Sequence, residues 1–100
     1  MATRVAFVNG KGGVGKTTCS LLFAAALLDA GKSASICDCD PQGNATSASI
    51  KLGIPQGEEG QDFVVIDTAP NLENPATITA IQSADMVVLV TTPDAPDLST

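Results

Sequence analysis

Short apolar runs recur along the chain, each closed by glycine or by an acidic or polar residue. Residues 4–9 (RVAFVN) form such a run before a cluster of glycines and predict a buried strand. Residues 17–30 are rich in Leu and Ala, which lose little conformational freedom in a helix, and Gly31 stands where a left-handed C-cap would fall. The apolar positions of this helix cover nearly every face, which predicts a helix buried all round. Residues 33–38 (SASICD) predict a second, weaker strand, residues 41–45 a loop, and residues 46–52 a short helix before Gly53. Residues 53–61 (GIPQGEEGQ) are turn-rich and acidic and predict an exposed loop. Residues 63–66 (FVVI) predict a third strand with Asp67 at its tip, residues 75–84 a helix, and residues 86–91 (MVVLVT) a fourth strand. Strand alternating with helix implies parallel strands joined by right-handed crossovers, hence a layered α/β fold. The expected strand order is second, third, first, fourth. Polar or acidic residues follow strand after strand at the C-terminal ends, the edge where such sheets bind ligands.

Composition narrows the picture. A chain of 100 residues has room for one modest core and one domain. The 44% hydrophobic content argues against disorder, and with three Phe and no Trp or Tyr it consists mostly of Ala, Val, Ile and Leu, which suits close-packed α/β layers. No apolar run is long enough to span a membrane, and the first residues lack the build of a signal peptide, so a cytoplasmic address with no membrane partner is expected. Three cysteines fit no disulfide framework. Cys37 and Cys39 form a Cys-x-Cys pair without His or a second pair to complete a metal site, and read better as small packed residues. Net charge is −6, and two of the five cations, Lys11 and Lys16, fall within one glycine-rich stretch. Such a chain repels DNA, so any nucleic-acid binding must come from elsewhere.

That stretch carries the chemistry. Gly10, Lys11, Gly12, Gly13, Val14, Gly15, Lys16 and Thr17 satisfy G-x-x-x-x-G-K-[ST] between a strand and a helix start. Glycines let the backbone curl so that successive N–H groups converge on phosphate oxygens, and the helix N-terminus adds positive potential. Lys16 is expected between the β- and γ-phosphates, and the hydroxyl of Thr17 on Mg²⁺. Thr18 closes the nucleotide-holding set. The loop itself does not choose between ATP and GTP.

The second lysine, in the string KGGVGKTT, resembles the deviant Walker A group of P-loop ATPases: the ParA and Soj partition ATPases, the cell-division regulator MinD and the nitrogenase iron protein. The resemblance implies ATP as nucleotide and a catalytic role for Lys11, which in that family reaches across a nucleotide sandwich dimer to the partner's phosphates. A second cation there would offset charge on the terminal phosphate as the bond breaks. The alternative is a solvated loop lysine.

The segment Asp38-Cys39-Asp40-Pro41-Gln42-Gly43-Asn44 looks like the first switch of the ParA/Soj branch. By resemblance Asp40 would orient or activate the attacking water, and Asp38 would sit near the Mg²⁺ shell; an acidic turn is the plainer alternative. Phe63 to Asp67 is the Walker B pattern, an Asp at a strand end that holds Mg²⁺ beside the phosphate loop. Thr68-Ala69-Pro70 would open the second switch.

Two departures stand out. Family members carry tens of residues between the first switch and the Walker B strand, where this chain has 17 between Asn44 and Asp62. Family domains also run well beyond Thr100, so residues 1–100 are expected to be one P-loop ATPase domain forming the N-terminal part of a longer unit. Asp97 reads as the N-cap of a further helix. With so few helices, apolar side chains of FVVI and MVVLV should be left uncovered.

The resemblance implies an ATPase in plasmid or chromosome segregation, homodimeric on ATP, stimulated by a centromere-binding ParB-like partner, and held on the nucleoid where other regions bind DNA nonspecifically. The alternatives are a MinD-like positioning ATPase and a nucleotide-binding module without turnover.

Overall fold

The computed structural model describes residues 2–9, 15–40, 43–57, 60–69 and 73–91. Four strands, β1 (Thr3–Asn9), β2 (Ala34–Asp38), β3 (Phe63–Asp67) and β4 (Met86–Val90), alternate with three helices, α1 (Lys16–Asp29), α2 (Asn44–Leu52) and α3 (Pro75–Ser83). The strands form one parallel sheet in the order β2-β3-β1-β4, the expected order, with the strand that feeds the phosphate loop inside.

Alternate strand residues face opposite sides of the sheet, and each side has its own core. On one side Val5, Phe7, Ile36 and Val65 pack with Leu21 and Ala24 of α1 and Ala45 of α2. On the other, Ala6, Val64 and Ile66 pack against Ala80 of α3, with Cys37 and Cys39 beside them. The cysteines are free thiols.

Helix ends follow local chemistry. At the end of α1, Gly31 takes φ 82°, its N–H reaches Leu28 O at 3.0 Å, and the Lys32 N–H reaches Leu27 O at 2.9 Å. This Schellman closure satisfies carbonyls that the helix leaves open. At the start of α3, the Asn74 side chain accepts from the Ala76 N–H at 2.8 Å, with Pro75 in the first turn.

The structure corrects four expectations. Helix α1 is not buried all round: Thr18, Leu22 and Ala26, spaced one turn apart, are exposed, because no described element packs over that stripe. Helix α2 begins at Asn44 rather than after a loop ending at residue 45. The stretch after Gly53 is not wholly an exposed loop. Ile54 is buried, and the Ile36 N–H bonds Pro55 O at 2.9 Å while the Gly57 N–H bonds Ile36 O at 3.0 Å. This segment therefore covers part of the outer edge of β2. Of the two apolar strands expected to be uncovered, only β4 is: Val64, Val65 and Ile66 are fully buried, because β3 is central and covered on both sides. Met86, Val87 and Leu89 of edge strand β4 remain 55%, 45% and 60% exposed.

Candidate functional site

Parallel pairing brings the C-terminal ends of the strands to one edge of the sheet. Asp38 and Asp67 are register partners there, and Phe7 of β1 lies opposite Asp67 on its other side. Helix α1 starts at this edge. Its N-cap, Gly15, has φ 80°, a backbone conformation that favours glycine and turns the chain into the helix. The first turn of α1 has no acidic residue of its own.

Lys16 does not point into solvent. Its residue is 5% exposed, and Nζ lies 2.6 Å from Oδ1 of Asp67, which is fully buried. Nζ also donates to the carbonyl oxygen of Thr68. The hydroxyl of Thr17 donates to the other carboxylate oxygen, Oδ2 of Asp67, at 2.8 Å. Thr68 is itself pinned, its hydroxyl donating to Phe7 O at 2.7 Å. Lysine, threonine and aspartate, 50 and 51 residues apart in sequence, thus form one buried network joining α1, β3 and β1. A buried ion pair of this kind holds only because its remaining hydrogen-bonding capacity is also met.

Asp38 serves a different set of partners. Its Oδ1 accepts from the Asp40 N–H at 2.9 Å, and its Oδ2 accepts from both the N–H and the hydroxyl of Thr46 at 2.8 Å. Gly43, the N-cap of α2, has no side chain to offer the first turn of that helix. Asp38 supplies the missing acceptor from the strand end, which fixes α2 against β2. Asp40 is half-buried in this turn, and its carbonyl accepts from the Gly43 N–H at 2.9 Å.

Of the residues singled out from the sequence, Lys16, Thr17 and Asp67 are brought into contact, Gly15 adjoins them, and Thr18 is exposed one residue on. Asp38 and Asp40 share the same sheet edge but bond one another and α2. Gly10, Lys11, Gly12, Gly13 and Val14 lie outside the described residues, as do Pro41, Gln42, Pro70 and Asp97. Two contacts escaped the sequence reading, although both residues lie in or beside the switch segments it marked. Thr46 completes the seat of Asp38, a pairing across eight residues that no local motif marks. Thr68 holds Lys16 through its main-chain carbonyl, which is independent of its side-chain identity.

The donor set suits Mg²⁺: a hydroxyl and a carboxylate, both hard oxygen ligands, already meet at 2.8 Å beside the lysine. Among the described residues there is no group of three or more His, Cys, Asp or Glu side chains able to hold a metal by themselves. A magnesium ion here would therefore take further oxygens from phosphate and water, as is usual for that ion.

A Gly-Lys-Thr helix start whose lysine and threonine meet a strand-end aspartate, on the C-terminal edge of a parallel sheet, defines a P-loop nucleotide-binding fold. The profile of the AAA domain family matches residues 2–59, and the chain belongs to that family, as a ParA/Soj-type ATPase relative. It is 38% identical to the maintenance of carboxysome distribution protein A of Gloeobacter kilaueensis, over 95% of this chain and 51% of that protein. It is 32% identical to the chromosome-partitioning ATPase Soj of Thermus thermophilus, over 86% of this chain and 53% of the relative. It is 41% identical to the sporulation initiation inhibitor protein Soj of Bacillus subtilis, over 78% of this chain and 35% of the relative. The chain thus spans about half the length, or less, of these curated relatives. The Thermus alignment runs over 133 residues, more than this chain contains, so the relative carries extra residues within the matched stretch. No helix among the described residues is long and apolar enough to cross a membrane.

Proposed function

We propose that this chain binds ATP with Mg²⁺ and hydrolyses it as a ParA-type ATPase, in the service of partition or positioning. The observation that carries the reading is the meeting of Lys16, Thr17 and Asp67 at the end of the sheet. Lys16 would give its ammonium to the β- and γ-phosphates, while Gly10 to Thr18 wrap them with backbone N–H groups. Thr17 and Asp67 would hold Mg²⁺, with Asp38 near its outer shell. Mg²⁺, when bound, offsets negative charge on the phosphates. Asp40 would orient the attacking water and accept its proton, and Lys11 would reach the phosphates of a partner subunit across an ATP-dependent homodimer.

The Thermus relative is named for chromosome partitioning, which supports DNA as the cargo and a ParB-like activator as the partner. Nonspecific DNA contacts would have to come from regions other than this acidic stretch. The relative named for carboxysome distribution favours a second reading, in which the body positioned is not DNA. Either use places the protein in the cytoplasm, with nucleoid association in the first. The reading is tested by phosphate release from ATP with and without MgCl₂, beside Lys16→Ala. Magnesium-dependent release that the variant abolishes supports it. Tight ATP binding without release would leave a nucleotide-binding module, and ATP binding retained by Lys16→Ala would count against the phosphate-loop assignment itself.

A further inference from the structure

On the face of the sheet that packs against α3 lies a cavity of about 350 Å³, lined by Arg4, Cys37, Cys39 and Ile66 from the sheet side and by Thr79 and Ser83 of α3. Cys37 and Cys39 both pack against the cluster of Ala6, Val64, Ile66 and Ala80, and neither is in a disulfide. Between them Asp38 turns to the other face, where Thr46 of α2 holds its carboxylate. Strand alternation thus sorts the donors of this short segment, with two soft sulfurs on the α3 face and the hard carboxylate oxygens on the other. We propose that this cavity is a binding site for a soft monovalent cation, Cu(I), held between the thiolates of Cys37 and Cys39.

Both sulfurs stand on main chain that the sheet already fixes. Cys37 lies within β2, in register with Ile66 of β3, and the Cys39 N–H bonds Asp67 O at 2.8 Å. Residues two apart on a strand are separated by about 6.5 Å, with their side chains on the same face. A disulfide needs Cβ atoms about 3.5–4.5 Å apart, so this spacing opposes direct bridging of the pair. A shared ion asks for less. Two metal–sulfur bonds of about 2.3 Å place the sulfurs about 4.6 Å apart, which the side chains reach by leaning towards each other.

Ligand number and charge choose the ion. Structural Zn²⁺ takes four ligands, and among the described residues no third His, Cys, Asp or Glu joins the pair. Mg²⁺ and Ca²⁺ prefer oxygen donors. Cu(I) is soft, favours thiolates and is satisfied by two sulfurs in line. Binding releases the two thiol protons to solvent, so two thiolates and one monovalent cation leave a net negative charge in the cavity. Arg4 lines the same cavity, and its guanidinium offsets that charge.

The test measures binding of the metal alone. The 100-residue chain, reduced and kept free of oxygen, is titrated with Cu(I) against the chromophoric competitor bicinchoninate. The unmodified chain should take up a single equivalent, and Cys19→Ser, which removes the exposed thiol of α1, should bind equally well. Cys37→Ser and Cys39→Ser should each bind at least tenfold more weakly, with circular dichroism checking their fold. A second measurement needs no variant: Cu(I) should shield Cys37 and Cys39 of the unmodified chain from iodoacetamide, read by peptide mass, and leave Cys19 open. Failure to draw Cu(I) from bicinchoninate would overturn the proposal. So would loss of binding in Cys19→Ser, undiminished affinity in either of the other two variants, or shielding of Cys19 in a copper-bridged dimer seen by sizing chromatography.

Discussion

Asp38 and Asp67 are register partners at the ends of adjacent strands, yet their carboxylates serve opposite ends of the site. Asp67 holds Lys16 and Thr17 at the start of α1, whereas Asp38 holds Thr46 and the Asp40 amide at the start of α2. Two acidic residues that look alike in sequence thus fix two different helices to one sheet edge. Their replacement should have different consequences.

Asp38→Ala removes the acceptor for three hydrogen bonds at the start of α2. Hydrogen bonds to a charged group contribute about 1.5–3 kcal/mol each when buried, and a helix cap about 1 kcal/mol. Asp38 is only half-buried, so a total loss of about 1–3 kcal/mol is expected. Thr46→Val, which removes the hydroxyl and keeps the N–H, should cost less. Thermal unfolding of the two variants and their combination measures this. The double variant should be scarcely less stable than Asp38→Ala alone, and full additivity would show that the two side chains act independently.

Lys16→Ala should be destabilising as well as unable to bind nucleotide, because it leaves a fully buried carboxylate with Thr17 as its remaining side-chain partner among the described residues. Breaking a buried pair from one side costs about 3–5 kcal/mol. Adding Asp67→Asn removes the stranded charge and should recover part of that stability without recovering binding. Urea unfolding of the single and double variants gives the comparison. A double variant less stable than Lys16→Ala would mean that the pair contributes nothing through its charge.

The strands, their order and the helix beginning at the Gly-Lys-Thr triplet were legible from apolar runs bounded by glycine and from the alternation of strand and helix. What was not legible depends on which neighbour arrives. Residues 63–66 and 86–90 are equally apolar, and only the central position of β3 buries the first set while the edge position of β4 exposes much of the second. Leu22 reads as a core residue of an apolar helix, but the element it would pack against is not among the described residues. Ile54 lies in a stretch dominated by Gly and Glu, yet it is buried because the chain doubles back along β2. The contact of Lys16 with the Thr68 carbonyl was beyond any sequence reading, since main-chain acceptors carry no residue signature.

Asp40→Ala is expected to leave ATP binding intact and stop hydrolysis. The Asp40 main chain is held in the turn by Asp38 and Gly43. If Asp40 serves the attacking water, an ATP-bound form should accumulate. Single-turnover phosphate release alongside mant-ATP affinity separates the two effects. Release at the parent rate would assign the water to another group.

Lys11→Ala should differ from Lys16→Ala by keeping nucleotide while losing ATP-dependent association. The expectation comes from the second lysine of the KGGVGKTT string, since Lys11 lies outside the described residues. Light scattering with ATP and magnesium reads association directly. Equal dimer formation and equal turnover in variant and parent would reduce Lys11 to a solvated loop residue.

The last expectation concerns the apolar surface. Leu22 of α1 is 65% exposed, and Met86, Val87 and Leu89 of β4 are 55%, 45% and 60% exposed. Leu22 and Leu89 line the same groove with Phe7, Phe23, Val88 and Val90, a hollow of about 610 Å³. Among the described residues, strand β4 is the last strand of the sheet on that side, and none of them pairs with its outer edge, which lies beside apolar side chains. Long apolar edges of this kind pair with other chains unless charge or cover prevents it. The 100-residue chain expressed alone should therefore self-associate as its concentration rises, melt with low cooperativity and hydrolyse ATP poorly. Leu22→Glu with Leu89→Lys places opposite charges on the groove and one on the strand edge, and should shift sizing chromatography towards monomer without lowering the melting temperature. Both side chains are already mostly in water, so their replacement removes little packing. A parent chain that is monodisperse at high concentration, melts cooperatively and turns over ATP would show that the exposed strand carries no such liability.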